Sequence, residues 1–436
     1  MPKKVGIRRE DKAFELRTPI VPSDVQKLAK EHGFEFVVES SEQRAFSEDA
    51  YREAGAIVGD LHGTEPQVIF GIKEIPKEVF EREKVYLFFA HVIKGQKYNM
   101  AMLKQILDVG ATLIDYERIV EVKTGRRLVF FGNWAGYAGM AETLRGLGER
   151  LSEQGVTPNP FEDLKPTYQY SGIEELQTAV SAIGKQIQAE GVACELAPLV
   201  VGFIGYGNTS RGAQAIFDLL PHKTVSPAEL PHLTPDNHFL YKVVFREEDT
   251  IRPKDSKATF DLQDYYDHGK AKYQSAFLQY LPNISVLMNC IYWSDKYPRM
   301  VTKQELKKLW NQTGGKPRLL IVGDISCDIH GAIEFTVQCT KPDHPTFVYH
   351  PDTDEATIGI SGDGVVVMAV DNLPTELPRD ASTSFSETLQ RFIPALVNAD
   401  YSVPFEQLDL PPEVKKAVIV YRGILTPEYE YLEKYL

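Results

Sequence analysis

Cysteine is scarce in this chain: four residues in 436, Cys194, Cys290, Cys327 and Cys339, and no CxxC pair. That spacing argues against a disulfide framework or a zinc site, so no metal is expected, and buried thiols in a reducing cytosol are the simpler reading. Long apolar runs are also lacking. The longest, near residues 196–204 and 365–370, fall far short of the ~20 residues that a membrane span requires. The opening Met1-Pro-Lys-Lys-Val-Gly-Ile-Arg8 has no apolar stretch long enough for a signal peptide, so the expected location is cytoplasmic, with no membrane partner. Low-complexity tracts and fixed-period repeats are absent. Positive charge is in deficit, 48 Lys and Arg against 61 Asp and Glu, a formal charge of −13. Such a surface repels nucleic-acid phosphates and anionic lipid, which removes both as partners but leaves room for local basic pockets.

What remains is the composition of a folded, water-soluble protein, 43% hydrophobic and 25% charged, long enough for two domains. Short apolar runs at residues 5–7, 36–38, 68–71, 85–89 and 112–114 read as buried strands alternating with helical patterns, the first helix opening at Ser23 and closing near Gly33. From Gly132 small residues recur every three or four positions, then Leu144, Leu147 and Leu151 continue a helical stripe. This predicts one long helix whose glycines let another backbone come close. Residues 157–170, rich in proline and aromatics, read as a loop. A second alternating unit starts at Leu196, with strands predicted at 198–204, 286–291, 319–322 and 365–370 and a helix over 210–220. From Glu376 a long helix and a proline-rich tail are expected to pack back on the first domain. The fold class is therefore α/β: two Rossmann-like domains with mostly parallel sheets flanked by helices and a cleft between them. The expected division is 1–132 plus about 376–436 for a substrate and catalytic domain, and 133–375 for a dinucleotide-binding domain.

Gly205-Tyr206-Gly207-Asn208-Thr209-Ser210 follows an apolar run and opens a helix, as a dinucleotide turn requires. Gly205 permits the tight turn, Gly207 lets a pyrophosphate reach the backbone, and the helix N-terminus faces the phosphates. Ser210 stands where a third glycine is usual. The competing reading is a glycine turn with no cofactor. NAD sites usually carry an acidic residue about 20 residues further on. Here that stretch is His222-Lys-Thr-Val-Ser226-Pro, without a carboxylate. Ser226, with Arg211 or Lys223 nearby, would accept a 2′-phosphate, which favours NADP (NADPH), while Glu229 keeps NAD open.

Four segments of the first domain place polar residues at predicted strand ends: Arg8-Arg-Glu10 with Arg17, Gly71-Ile-Lys73-Glu74, Phe89-Ala-His91-Val-Ile-Lys94, and Asp115-Tyr-Glu117 followed by Gly125-Arg126-Arg127. Lys73 and His91 both follow buried strands, where open α/β sheets bind ligands. Together they make an acid–base pair tunable by burial and mutual repulsion. Each alone reads more simply as a surface lysine and a structural histidine.

These segments, in this order, with Gly132-x-Trp134-Ala-Gly-x-Ala-Gly-Met140, the Gly205 turn, Asn289-Cys-Ile-Tyr-Trp293, Gly323-Asp-Ile-Ser-Cys-Asp328 and Asp371-Asn-Leu-Pro374, resemble the lysine–ketoglutarate reductase family. That is the NADP-dependent, lysine-forming saccharopine dehydrogenase, the first half of bifunctional α-aminoadipic semialdehyde synthase. It lies within a superfamily that includes NAD-dependent saccharopine dehydrogenase and alanine dehydrogenase. The resemblance implies condensation of L-lysine with 2-oxoglutarate and reduction of the imine by NADPH to saccharopine, a step of lysine degradation. It also implies an alanine dehydrogenase-like first domain. Lys73 and His91 would move protons, with Glu117 tuning them. Arg17 and Arg126 would grip substrate carboxylates, with Arg8 and Trp134 also lining the substrate site. Cys290, Ile291 and Asp324 would line the cofactor cleft, and Asp371 would meet the nicotinamide end.

Two departures stand out. The chain ends at Leu436, so the second half of the bifunctional enzyme is not expected and a separate glutamate-forming saccharopine dehydrogenase would act downstream. Cys327 replaces a small residue between two aspartates. A homo-oligomer is compatible with the sequence. The rival readings are an NAD(P)-dependent saccharopine, alanine or other opine-type amino-acid dehydrogenase, and a catalytically silent NADP-binding regulator.

Overall fold

Runs such as Val68–Phe70 and Val85–Phe88 are buried along their whole length, a pattern that suits strands covered on both faces. The computed structural model describes residues 2–436. In chain order the strands are β1 (Lys4–Ile7), β2 (Glu35–Val38), β3 (Ile57–Val58), β4 (Val68–Phe70), β5 (Val85–Phe88) and β6 (Thr112–Asp115). There follow β7 (Val200–Ile204), β8 (His222–Thr224), β9 (Leu240–Phe245), β10 (Ile251–Pro253), β11 (Tyr273–Ser275) and β12 (Val286–Asn289). The series closes with β13 (Ile321–Asp324), β14 (Thr346–His350), β15 (Glu355–Ile358), β16 (Val365–Met368), β17 (Val418–Tyr421) and β18 (Ile424–Leu425). The chain divides into two compact units, residues 1–131 with 378–436, and residues 132–377.

Unit 1 holds an eight-stranded sheet in the order β18-β17-β6-β5-β4-β1-β2-β3. From β3 to β6 every pairing is parallel, and β17 joins β6 antiparallel. The helix Pro22–His32 ends on Gly33 at φ 70°, a left-handed cap that glycine adopts without steric cost. After the helix Pro378–Leu389 the proline-rich tail contains a strand the sequence did not predict, β17, whose Val-Ile-Val-Tyr run is fully buried.

Unit 2 holds the order β15-β14-β16-β13-β12-β7-β9-β8, parallel from β16 to β8 and antiparallel at β14 and β15. Alternate residues of each central strand enter opposite apolar layers. Val201, Phe203, Val286 and Met288 pack on the side of the helix Gly132–Glu153, whereas Val200, Ile204 and Leu287 pack with Phe277 and Leu306. The long helix runs 22 residues from Gly132, and its partner is the helix Asn208–Phe217. Their backbones touch: a Cβ on Gly136 would lie 2.1 Å from the Thr209 carbonyl oxygen, and one on Gly212 would lie 2.2 Å from that of Asn133. Gly212 thus provides the close approach for which the sequence offered only Ser210.

Candidate functional site

The four polar segments of unit 1 emerge from the C-terminal ends of neighbouring strands. Arg8 follows β1, Lys73 follows β4, His91 follows β5 and Glu117 follows β6, and the sheet order β1-β4-β5-β6 sets them side by side. Successive parallel strands lie about 4.8 Å apart, so neighbouring segments come within side-chain reach.

The carboxylate that meets His91 is Glu74. His91 Nδ1 lies 2.5 Å from Glu74 Oε1. Burial pushes the Glu74 carboxyl up, but the His91 hydrogen bond and the charges of His91 and Lys73 outweigh it and hold the group at about 2. His91 sits at φ 48°, a left-handed conformation uncommon for a non-glycine residue, with its ring stacked on Phe89. Lys73 is half-buried, and burial, with the nearby charges of Arg17 and Lys12, lowers its ammonium from the usual range. The loop carrying it is fixed by Glu10, whose carboxylate accepts from the backbone N–H of Ile72 (2.7 Å) and Lys73 (2.9 Å). Burial raises Glu10 to about 7 against the pull of Arg8. Glu117, expected to tune the histidine, instead pairs with Arg127, and its own N–H is held by Asp115 Oδ1 at 2.8 Å. Burial, reinforced by Glu117, raises Asp115 to about 7.

The arginines are placed differently from the carboxylate forks expected of them. Arg17 is 3% exposed, and its Nε and Nη2 donate to the two oxygens of Glu15 at 2.7 and 2.6 Å. Its guanidinium also stacks 4.1 Å from the Phe131 ring centre, and Phe131 stacks on Phe385. That planar edge is thus occupied by Glu15, a residue the sequence reading passed over. Arg126 is exposed in the turn between Glu121 and Arg127, its Nη2 3.9 Å from Glu121, and the guanidinium drawn back to the strand edge is that of Arg127. Arg8 is buried, donates to Asp11 at 2.5 Å, and lies across Gly71, where a Cβ would meet it at 3.0 Å. Its Nε and Nη1 have no hydrogen-bond partner among the described residues.

In unit 2 the turn Gly205–Gly207 joins β7 to the helix Asn208–Phe217. Gly205 sits at φ 95°, and a Cβ there would lie 2.7 Å from Ile291 Cγ2, whereas nothing lies within 4 Å of a Cβ on Gly207. A turn open above Gly207 and facing a helix N-terminus fits a pyrophosphate. Beside it lies a cavity of about 400 Å³ lined by Gly205, Tyr206, Gly207, Cys290, Ile291 and, from the end of β9, Arg246 and Glu247. Asn208 and Thr209 are half-buried in the first turn, Ser210 is buried and accepts from Gln214 at 2.8 Å, and Arg211 is exposed.

Ser226 does not stand at the ribose end. β7 lies between β12 and β9, and β8, which leads to Ser226, lies beyond β9 at the edge of the sheet. Counting 20 residues from the glycines fails because β8 is the next strand in sequence but not in space. Ser226 is also committed, its N–H and Oγ both held by Glu229 at 2.7 Å in a capping box. The NADP preference drawn from a missing carboxylate loses its premise, because β9, which does flank β7, is followed by Arg246-Glu247-Glu248-Asp249.

Asp324, expected at the cofactor, is 1% exposed. Its oxygens take hydrogen bonds from Asn289 (2.8 Å), Cys327 N–H (3.2 Å) and Thr336 (2.6 Å), so it clamps a loop. Cys327 has its Sγ 3.2 Å from that of Cys339 and 2.8 Å from the Ala369 carbonyl. Asp371 is exposed just after β16, and Trp134 is half-buried in the first turn of the long helix, edge-on to Tyr137.

No helix among the described residues is long and apolar enough to cross a membrane, and no group of three His, Cys, Asp or Glu side chains converges as a metal site. Along its whole length the chain is similar to curated relatives. It is 37% identical to the α-aminoadipic semialdehyde synthase of Arabidopsis thaliana over 99% of this chain and 41% of that one. It is 33% identical to the mitochondrial α-aminoadipic semialdehyde synthase of Rattus norvegicus over 99% of this chain and 47% of that one. The chain therefore spans about half the length of these relatives. The cytoplasmic expectation is corrected by the same comparison, since the rat, mouse and cow relatives are mitochondrial proteins by name. A solved L-alanine dehydrogenase shares the fold, with a TM-score of 0.61 and 15% identity over 99% of both chains. The family models described as Alanine dehydrogenase/PNT, N-terminal domain, and Alanine dehydrogenase/PNT, C-terminal domain, match residues 6–138 and 272–428. With both halves of the model in order along a two-unit α/β chain, the protein belongs to the alanine dehydrogenase/PNT family within the saccharopine and alanine dehydrogenase superfamily.

Proposed function

We propose that the chain is a lysine–ketoglutarate reductase, joining the ε-amine of L-lysine to the keto carbon of 2-oxoglutarate and reducing the product to saccharopine. The observation that carries the reading is the strand-end cluster of Lys73, Glu74 and His91, a proton-transfer set in a family of amino-acid dehydrogenases. The condensation needs a proton taken from the incoming ammonium and another delivered to the carbinolamine hydroxyl as water leaves. Lys73, its ammonium destabilised by burial and neighbouring cations, takes a proton up and gives it back at little cost. His91, oriented by Glu74 through Nδ1, presents Nε2 to the reacting atoms. Arg8 brings a buried guanidinium with two unpaired nitrogens to the same edge, while Arg17 is held there in its ion pair with Glu15. A bound nicotinamide dinucleotide would supply the hydride, and the residues that would hold it are those of the Gly205–Gly207 turn. The resemblance implies NADPH as the donor.

The test is turnover of the purified chain with L-lysine and 2-oxoglutarate, offered NADPH and NADH separately, with saccharopine identified by mass. Oxidation of either nucleotide only with pyruvate and ammonia would replace this reading with an alanine-type dehydrogenase. No turnover on any such pair, with nucleotide bound, would favour a silent regulator.

A further inference from the structure

The residues after β9 bear directly on which dinucleotide the chain takes. β9 runs parallel to β7 with Phe245 opposite Ile204, and the Gly205 N–H donates to the Phe245 carbonyl at 3.1 Å. Arg246 and Glu247 therefore leave the sheet beside the glycine turn, in the position from which a dinucleotide fold contacts the adenosine ribose. Glu247 is built into the wall of the 400 Å³ cavity. Its Oε1 accepts from Tyr266 at 2.8 Å. Its Oε2 is shielded from solvent and has no hydrogen-bond partner among the described residues. Tyr206, in the glycine turn itself, lies against the same carboxylate, which together with burial raises the phenol.

An acceptor oxygen withdrawn from water without a donor is destabilising, the more so when charged, until a ligand supplies the hydrogen bond. Ribose 2′- and 3′-hydroxyls are donors. A 2′-phosphate offers no donor when ionised and brings up to two more negative charges against Glu247. The surrounding charge has the same sign, since Glu248 and Asp249 follow at once. Arg246 opposes them, but it is exposed, with its guanidinium carbon 5.0 Å from the centre of the Tyr206 ring. An arginine stacked on a ring in that way can cover an adenine without meeting a phosphate.

We propose that Glu247 accepts the adenosine ribose hydroxyls and that the chain binds NADH in preference to NADPH. The proposal rests on reading unit 2 as a nicotinamide-dinucleotide domain, and binding separates the two claims. The full chain is titrated with NADH and with NADPH, following nicotinamide fluorescence, without other substrates. NADH is expected to bind at least tenfold more tightly. Glu247→Ser, which removes the negative charge that repels a 2′-phosphate, should move the affinity ratio tenfold or more toward NADPH. Glu247→Gln keeps the shape and should weaken NADH while improving NADPH. Tighter NADPH binding by the unaltered chain, or a ratio unmoved in both folded variants, overturns the assignment of Glu247. Binding of neither nucleotide would remove the dinucleotide reading itself, and this inference with it.

Discussion

At the residue scale, the carboxylates of unit 1 pull its stability in opposite directions with pH. Glu74 is held at about 2, below its usual 4.5, so the stability it contributes is present above about pH 4.5 and lost as pH falls through 2. Glu10 and Asp115 are raised to about 7. Their contribution is present below the ordinary carboxylate range and lost as pH rises through 7, when buried charge appears. Urea midpoints for unit 1 should therefore peak near about pH 4.5 and fall as pH drops toward 2 or rises toward 7. Glu74→Gln should flatten the acid limb and Asp115→Asn the alkaline one. A single symmetrical profile unchanged by either substitution would refute the argument. The same edge predicts kinetics. Lys73→Met and His91→Gln should each lower kcat by roughly 10²–10⁴-fold, the usual loss for a positioned acid or base, while nucleotide titrations stay near normal. The double variant should lose far less than the product of the two, because groups acting as a unit are not additive. Full multiplication would assign the two side chains to separate steps.

At the scale of elements, the junction between the helices Gly132–Glu153 and Asn208–Phe217 is the tightest constraint on the dinucleotide turn. Gly212→Ala would drive a methyl group against the Asn133 carbonyl, so the helix behind the turn must shift, at about 1–3 kcal/mol. Lower thermal stability of unit 2 with weakened nucleotide binding is expected, and Gly207→Ala, with open space above it, should spare stability while weakening binding. The small-residue spacing behind this contact was legible in the sequence, as were the two alternating α/β series and the glycine turn. These are local patterns of periods near 2 and 3.6. The lateral order of parallel strands has no such signature. Nothing in Leu240–Phe245 reveals that it slips between β7 and β8, and that order moves the position expected of a ribose-binding residue from Ser226 to Glu247. Partner choice was hidden for the same reason. Glu74 stands next to Lys73 in the sequence, yet only the neighbouring strand β5 brings His91 to it, and Arg17 lies two residues from the Glu15 that occupies it. β17 was missed because four apolar residues after a proline-rich stretch carry too little pattern to announce a strand.

At the scale of the whole molecule, unit 1 is assembled from two stretches of chain that flank unit 2 in sequence. β6 is covered on one side by β5 and on the other by β17, which is Val418–Tyr421. Val420→Pro would remove a donor opposite Leu113 and should leave the β6 edge exposed. The full-length variant is expected in the insoluble fraction at 37 °C, or as a soluble aggregate with unit 2 resistant to proteolysis. A monomer with normal unit 1 protection would contradict this. The same strand sets a schedule on the ribosome. β6 is translated some 300 residues before β17, a wait of roughly 15–60 s at about 5–20 residues per second. Unit 2, continuous in sequence, can close during that interval, whereas unit 1 must hold an open apolar edge until β17 emerges. The nascent chain is therefore most in need of a chaperone in the window between the synthesis of Asp115 and that of Tyr421, and slowing translation within it should raise misfolding of unit 1 while sparing unit 2.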